Sequence, residues 1–149
     1  MDPYSRRALL LDHDGPNRML LAYAMSMGRI DYEEAETVAE CVELWQPETF
    51  AFAFVDMELP KRDGLEVIAW LRENDTTLAI VVSSINDDPD FVAQAVAAGC
   101  DLVLIKPYQI ELLLTLAKIL NQETLRAADR VLVIDDRQRP SWVTRNSAE

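Results

Sequence analysis

Short apolar runs that alternate with helical patterns constrain this chain more than any other feature. The clear runs are ALLL at 8–11, FAFAFV at 50–55, LAIVV at 78–82 and DLVLI at 101–105, with a weaker one at 30–33. They do not alternate polar with apolar, so each predicts a strand buried on both faces, the mark of a parallel sheet covered by helices. Between them lie helix signals. Pro16 suits a first turn, and Met19, Leu20, Tyr23, Ala24 and Met27 share a face that ends at Gly28. Val38, Cys41, Val42 and Trp45 space a second helix before Pro47, and Leu65, Ile68, Ala69 and Arg72 a third. DDPDFVAQAVAAG gives a fourth, with acids at its start, Pro89 in its first turn and Gly99 past its end. A last helix is expected over 108–125. Parallel strands with right-handed crossovers give a doubly wound α/β sandwich with a five-stranded sheet.

In such sheets ligands bind beyond the carboxyl ends of the strands. The first strand presents Asp12, His13 and Asp14 there, the third Asp56, the fourth Ser84 and the fifth Lys106. Carboxylates gathered this closely need counter-charge. Lys106 supplies one positive charge, and the remainder calls for a hard divalent cation such as Mg2+, held by carboxylates, water and a phosphate. Carboxylate, lysine, hydroxyl and metal are also the parts that phosphoryl transfer requires.

The wider composition excludes other classes. Of 149 residues half are hydrophobic, and the net charge of -12 leaves no basic face for nucleic acid. KRDG at 61–64 and the basic stretch near the end are short and read as solvated loops. No apolar run approaches the roughly twenty residues that span a bilayer, and the opening MDPYSRRALLL is unlike a signal peptide. Cys41 and Cys100 sit in apolar surroundings without metal-ligand spacing, as free thiols of a cytoplasmic protein do.

FVDMELPKRDGLEVIAWLR resembles the phosphoacceptor segment of the response-regulator receiver family, the chemotaxis-regulator-like domains. Asp56, Pro60, Asp63 and Gly64 fall where that family has them, as do Ser84 and the pair Lys106-Pro107, and the resemblance covers residues 6–126. It implies a flavodoxin-like (βα)5 receiver fold for residues 1–127. It further implies that Asp56 accepts a phosphoryl group from a phosphohistidine on a histidine kinase or phosphotransfer protein. Mg2+ would sit between Asp56, the acidic pocket and the Glu58 backbone carbonyl. Lys106 and Ser84 would hold the phosphoryl oxygens, and a cis peptide before Pro107 would aim Lys106. Such a domain is not an enzyme toward free substrates; it catalyses at most its own phosphorylation and dephosphorylation.

Two positions depart from the family. Where it has a second acid after the first strand, this chain has His13, its only histidine, and Asp14 lies one place further on. Neutral imidazole suits softer metals than Mg2+. Three readings stay open: Asp14 takes over ligation beside Asp12 and Asp56; the pocket binds metal weakly; or the chain is a pseudo-receiver, a non-phosphorylated interaction or dimerisation module. His13 bonded to a neighbouring carbonyl is the plain alternative. The second departure is Val103, where the family often carries an aromatic ring that moves with the switch. A small hydrolase with an aspartate nucleophile is a third class, but no substrate cap or second catalytic acid is visible.

The last segment, 128–149, contains RVLVIDD, in which 131–136 resembles 8–13 with the missing acid restored. We expect the first strand of a truncated second receiver, in a chain that is a fragment of a longer tandem protein. The alternative is a strand that adds to a sheet edge. The last helix carries two stripes, Ile110, Leu113, Ala117, Leu120 and Leu112, Leu116, Ile119, and the spare one suggests a homodimer or partner surface. Met19, Met25 and Met27 make a broad face on the first helix that resembles the docking side for phosphotransfer helices.

Overall fold

A computed structural model describes residues 7–60, 63–119, 125–126 and 128–145. In chain order the elements are β1 (Arg7–Leu11), α1 (Gly15–Met27), β2 (Asp31–Ala35), α2 (Val38–Leu44), β3 (Phe52–Asp56) and α3 (Gly64–Asn74). There follow β4 (Ala79–Ser84), α4 (Pro89–Ala98), β5 (Leu102–Ile105), α5 (Ile110–Ile119), β6 (Arg130–Ile134) and β7 (Pro140–Thr144). All lie in or against one sheet of order β2-β1-β3-β4-β5-β6-β7. Every pairing is parallel except the last, β6 with β7.

The apolar runs form strands because both faces of each are covered. Along β1, Leu9 and Leu11 point into one core and Ala8 and Leu10 into the other. The first core holds Cys41, Val67, Ile68, Leu71, Val92 and Val96 from α2, α3 and α4. The second holds Leu21, Met25, Leu113 and Leu116 from α1 and α5. This is the doubly wound α/β arrangement read from the sequence. Chain order reverses between β1 and β3, so their carboxyl ends border a crevice between helices of opposite faces. Gly99 closes α4 at φ 117°, a conformation a Cβ disfavours, and its carbonyl takes two bonds from the Arg72 guanidinium.

The sheet departs from the expected five strands. VLVI cannot stay in water, and β5 offers an unpaired edge, so β6 runs parallel to it with Leu102 opposite Leu132 and Leu104 opposite Ile134. Val131, Val133 and Ile134 are buried there. Asp135 bonds its own turn, accepting from the Arg137 amide and from Arg139, and β7 returns antiparallel. The described residues thus place this segment as edge strands of the same sheet.

The amino ends of the strands are fastened by charge. Asp101, at the start of β5 and fully buried, accepts from Arg72 Nη2 at 2.7 Å, Arg145 Nη2 at 2.7 Å, the Ile80 amide at 2.8 Å and Arg126 Nη1. Arg145 also donates to the carbonyls of Cys100, Leu125 and Ala128, which ties the β6–β7 hairpin to the sheet.

On α5 the two expected stripes are not equally free. Leu113, Leu116 and Ala117 are buried, while Ile110, Leu112 and Leu114 pack half-buried against the same core. Among the described residues of α5 no large apolar side chain is exposed. Leu120 and the expected continuation of the helix over 120–124 lie outside the described residues, as does the side chain of Ile119. On α1, Met25 turns into the core, and the exposed apolar face is Met19, Tyr23 and Met27. The expected three-methionine face is corrected accordingly: the 3.6-residue period turns position 25 away from 19, 23 and 27.

Candidate functional site

Asp56 is the last residue of β3, and Asp12 follows β1 directly, so the parallel register of these neighbouring strands brings two carboxylates to one edge. Both are buried, Asp12 at 0% and Asp56 at 1% exposure. Asp56 Oδ1 accepts from the Glu58 amide at 3.0 Å and from Lys106 Nζ at 3.1 Å. Its other oxygen, Oδ2, lies 2.7 Å from His13 Nδ1. Lys106 Nζ is also 3.9 Å from Asp12 Oδ2 and reaches the pocket from the end of β5, beside a cis Lys106-Pro107 peptide. The Asp12 carboxylate accepts from the Asp14 amide at 2.9 Å and from the Asn17 amide group. Asn17 in turn donates to the Tyr108 hydroxyl at 2.8 Å.

The two carboxyls respond differently to the shared pocket. Burial raises that of Asp12 above its ordinary value, and the Asn17 and Asp14 donors only partly offset this. Burial also works to raise that of Asp56, but the Glu58 amide and the Lys106 ammonium outweigh it and hold the group below the ordinary range. Asp56 is therefore an anion at neutral pH, with a cation beside one of its oxygens.

The remaining sequence-predicted residues divide. Ser84 ends β4 but does not touch Asp56: its hydroxyl donates to Glu58 Oε2 at 2.7 Å and accepts from the Asn86 amide. The second Glu58 oxygen takes the Ile85 amide at 2.8 Å. Asp14 is exposed at the start of α1 and gives its backbone amide to Asp12, so its carboxylate stands apart from Asp12, His13 and Asp56. Asp63 caps α3 through the Leu65 amide. Gly64 follows because a Cβ there would come within 2.8 Å of Met57 Cα. The position three residues before Lys106 is the buried Val103, and Tyr108, also buried, has its hydroxyl pushed up to about 12 by burial.

Sequence reasoning missed the Glu58 carboxylate, Asn17 and the hydroxyl role of Tyr108. Nothing in their spacing signals them, because each partner comes from a different loop or helix. Asp12, His13 and Asp56 each offer one donor atom, and these three atoms lie within 4.8 Å of one another. Two carboxylate oxygens fit a hard cation, and each carboxylate keeps acceptor capacity beyond the bonds described. The imidazole nitrogen does not, so the donor set fits Mg2+ poorly at its third position. His13 is 39% exposed and forms one wall of an open groove with Thr37, Val38, Val42, Leu59 and Pro60.

Comparison with known proteins gives one answer at three levels. Residues 8–118 match the family described as response regulator receiver domain. The chain is 27% identical over 126 residues to the response regulator protein PilR of Pseudomonas aeruginosa, covering 82% of this chain and 28% of that protein. It is 30% identical over 105 residues to a cyclic di-GMP phosphodiesterase of Thermotoga maritima, covering 70% of this chain and 28% of that protein. The chain thus spans less than a third of either relative. A CheY-like receiver domain protein from Methanospirillum hungatei superposes with a TM-score of 0.71 at 22% identity, over 80% of this chain and 93% of that one. A response regulator protein from Burkholderia pseudomallei, solved with a phosphorylated aspartic acid, calcium ion and citrate, gives 0.68 at 26% identity over 82% and 71%.

Proposed function

The chain belongs to the response regulator receiver domain family of two-component signalling, and from that premise we propose that it is a phosphoacceptor domain whose acceptor is Asp56. One observation carries the reading. The Asp56 carboxylate is buried, held in its ionised form, and lies 3.1 Å from Lys106 Nζ at the switch point of the sheet. An ionised oxygen can attack phosphorus; a bond forms from Asp56 to the phosphoryl group while the phosphorus–nitrogen bond of a donor phosphohistidine breaks, and the donor imidazole leaves with its electron pair. Lys106 offsets the charge that the phosphoryl group brings into the pocket. Ser84 can meet a phosphoryl oxygen only after its hydroxyl leaves Glu58. A divalent cation belongs on Asp12 and Asp56, and the related Burkholderia pseudomallei protein was solved with both a phosphorylated aspartic acid and a calcium ion.

The partner is a histidine kinase or phosphotransfer protein, and the exposed Met19, Tyr23 and Met27 on α1 give it an adaptable apolar surface. The domain acts on no free substrate beyond loading and clearing its own phosphoryl group. Among the described residues no helix is long and apolar enough to cross a membrane, and we place the domain in the cytoplasm.

The test is intact mass after incubation with acetyl phosphate and a divalent cation, beside Asp56→Asn. A gain of one phosphoryl group that the variant lacks is the expected result. No gain in the folded protein, under conditions that load a control receiver, would refute the assignment and leave a domain that acts through protein contacts alone.

A further inference from the structure

The pocket holds two buried carboxyl groups, and among the described residues the only ammonium within 4 Å of them is that of Lys106. Its third group is an imidazole in direct contact with Asp56. We propose that the pocket binds a nitrogen-accepting first-row divalent cation such as Zn2+ in preference to Mg2+, with Asp12, His13 and Asp56 as its ligands. The inference rests on the receiver reading for where a cation sits, but not on phosphorylation.

Ligand chemistry and distance both support it. Imidazole suits zinc and other transition ions, whereas Mg2+ keeps to oxygen. Donors about 2.0–2.2 Å from a tetrahedral zinc lie roughly 3.3–3.6 Å apart, so the 2.7 Å between His13 Nδ1 and Asp56 Oδ2 must open by less than about 1 Å. The room exists on the His13 side, because that ring borders the open groove, while Asp12 and Asp56 are fixed by the sheet. The Asp14 amide and Asn17 on Asp12, and the Glu58 amide on Asp56, orient both carboxylates as outer partners of metal ligands do. Three protein ligands leave a coordination position open to solvent or to a phosphoryl oxygen.

His13 is the only histidine, so its two ring nitrogens give an unambiguous signal. The experiment records imidazole nitrogen NMR of the whole chain with no phosphoryl donor, adding one equivalent of Zn2+ in one sample and excess Mg2+ in another. Zn2+ is expected to shift a ring nitrogen, and Mg2+ to leave both in place. Calorimetric titration of both metals into wild type, His13→Asp and His13→Ala follows. Because even an outer-shell partner of a metal site is worth about 10–100-fold in affinity, the preference for Zn2+ over Mg2+ should fall at least about tenfold in both variants. Asp56→Asn should weaken Zn2+ by a similar factor, which locates the ion in this pocket. Unshifted ring nitrogens at saturating Zn2+, a preference unchanged in the His13 variants, or Zn2+ binding unchanged in Asp56→Asn would each overturn the proposal. Because no phosphoryl donor is present, these outcomes are separate from failure of Asp56 to accept phosphate.

Discussion

Asp101→Asn keeps the shape of the side chain and removes its charge, which isolates what the carboxylate does at the amino ends of the strands. Three guanidiniums then converge on a neutral amide that must present an NH2 group to donors. Removing one partner of a buried ion pair costs about 3–5 kcal/mol, whereas an exposed pair is worth under about 1 kcal/mol. Burial decides between these: Asp101 is fully buried, but Arg72, Arg126 and Arg145 keep 16%, 26% and 21% exposure. Water and carbonyl partners therefore relieve part of the stranded charge, and the expected loss is near the lower end, about 3 kcal/mol. For a chain of this size that corresponds to a fall of roughly 6–12 °C in Tm. Urea unfolding followed by circular dichroism measures it, with unchanged m-value as the check that the states are the same. Arg145→Met should cost about 2 kcal/mol, the worth of a charge-assisted bond plus its carbonyl contacts. The double variant should lose clearly less than the sum, since both changes break the Arg145–Asp101 bond. A loss under about 1 kcal/mol in Asp101→Asn, or strict additivity, would refute the view that this cluster fastens the β6–β7 hairpin to the sheet.

Two further outcomes follow from the site and the core. Glu58→Gln removes the charged acceptor that holds the Ser84 hydroxyl, a bond worth about 1.5–3 kcal/mol, so loading from acetyl phosphate should quicken by about tenfold or more; an unchanged or slower rate, read by intact mass, would show that Glu58 does not restrain Ser84. Burial pushes the Cys41 thiol up to about 11, the Cys100 thiol to about 12 and the Tyr108 hydroxyl to about 12, from ordinary values of 9.0, 9.0 and 10.0. These raised groups stabilise the folded state below their ordinary values, and that contribution is lost as pH climbs through 9 toward 12. Urea midpoints should therefore be flat to about pH 9 and fall beyond it, less steeply in Cys100→Ala relative to its own neutral value; equal slopes would refute the thiol's part in the fall.

What the sequence made legible, and what it hid, follow from how each residue meets its partners. The strands were readable because burial on both faces leaves an uninterrupted apolar run, and Asp12, Asp56 and Lys106 because a parallel sheet turns strand-end positions into neighbours. Asp14 meets Asp12 in a way that spacing does not signal: as the residue just before α1 it gives its backbone amide to the Asp12 carboxylate. VLVI announced a strand, but its destination depended on the open edge of β5, which no local pattern ranks against a second sheet. Asp101 gave no signal, since its partners lie 29, 25 and 44 residues away. Yet the two charge clusters are most informative together. At the amino ends one carboxylate meets three guanidiniums and is more than neutralised; at the carboxyl ends two buried carboxylates meet one ammonium. Gathering two buried carboxyls beside one ammonium costs free energy that a fold shaped for stability alone would avoid. The deficit of positive charge beside Asp56 is the physical ground for expecting a cation there, and His13, one of the three donors around it, decides which cation that is.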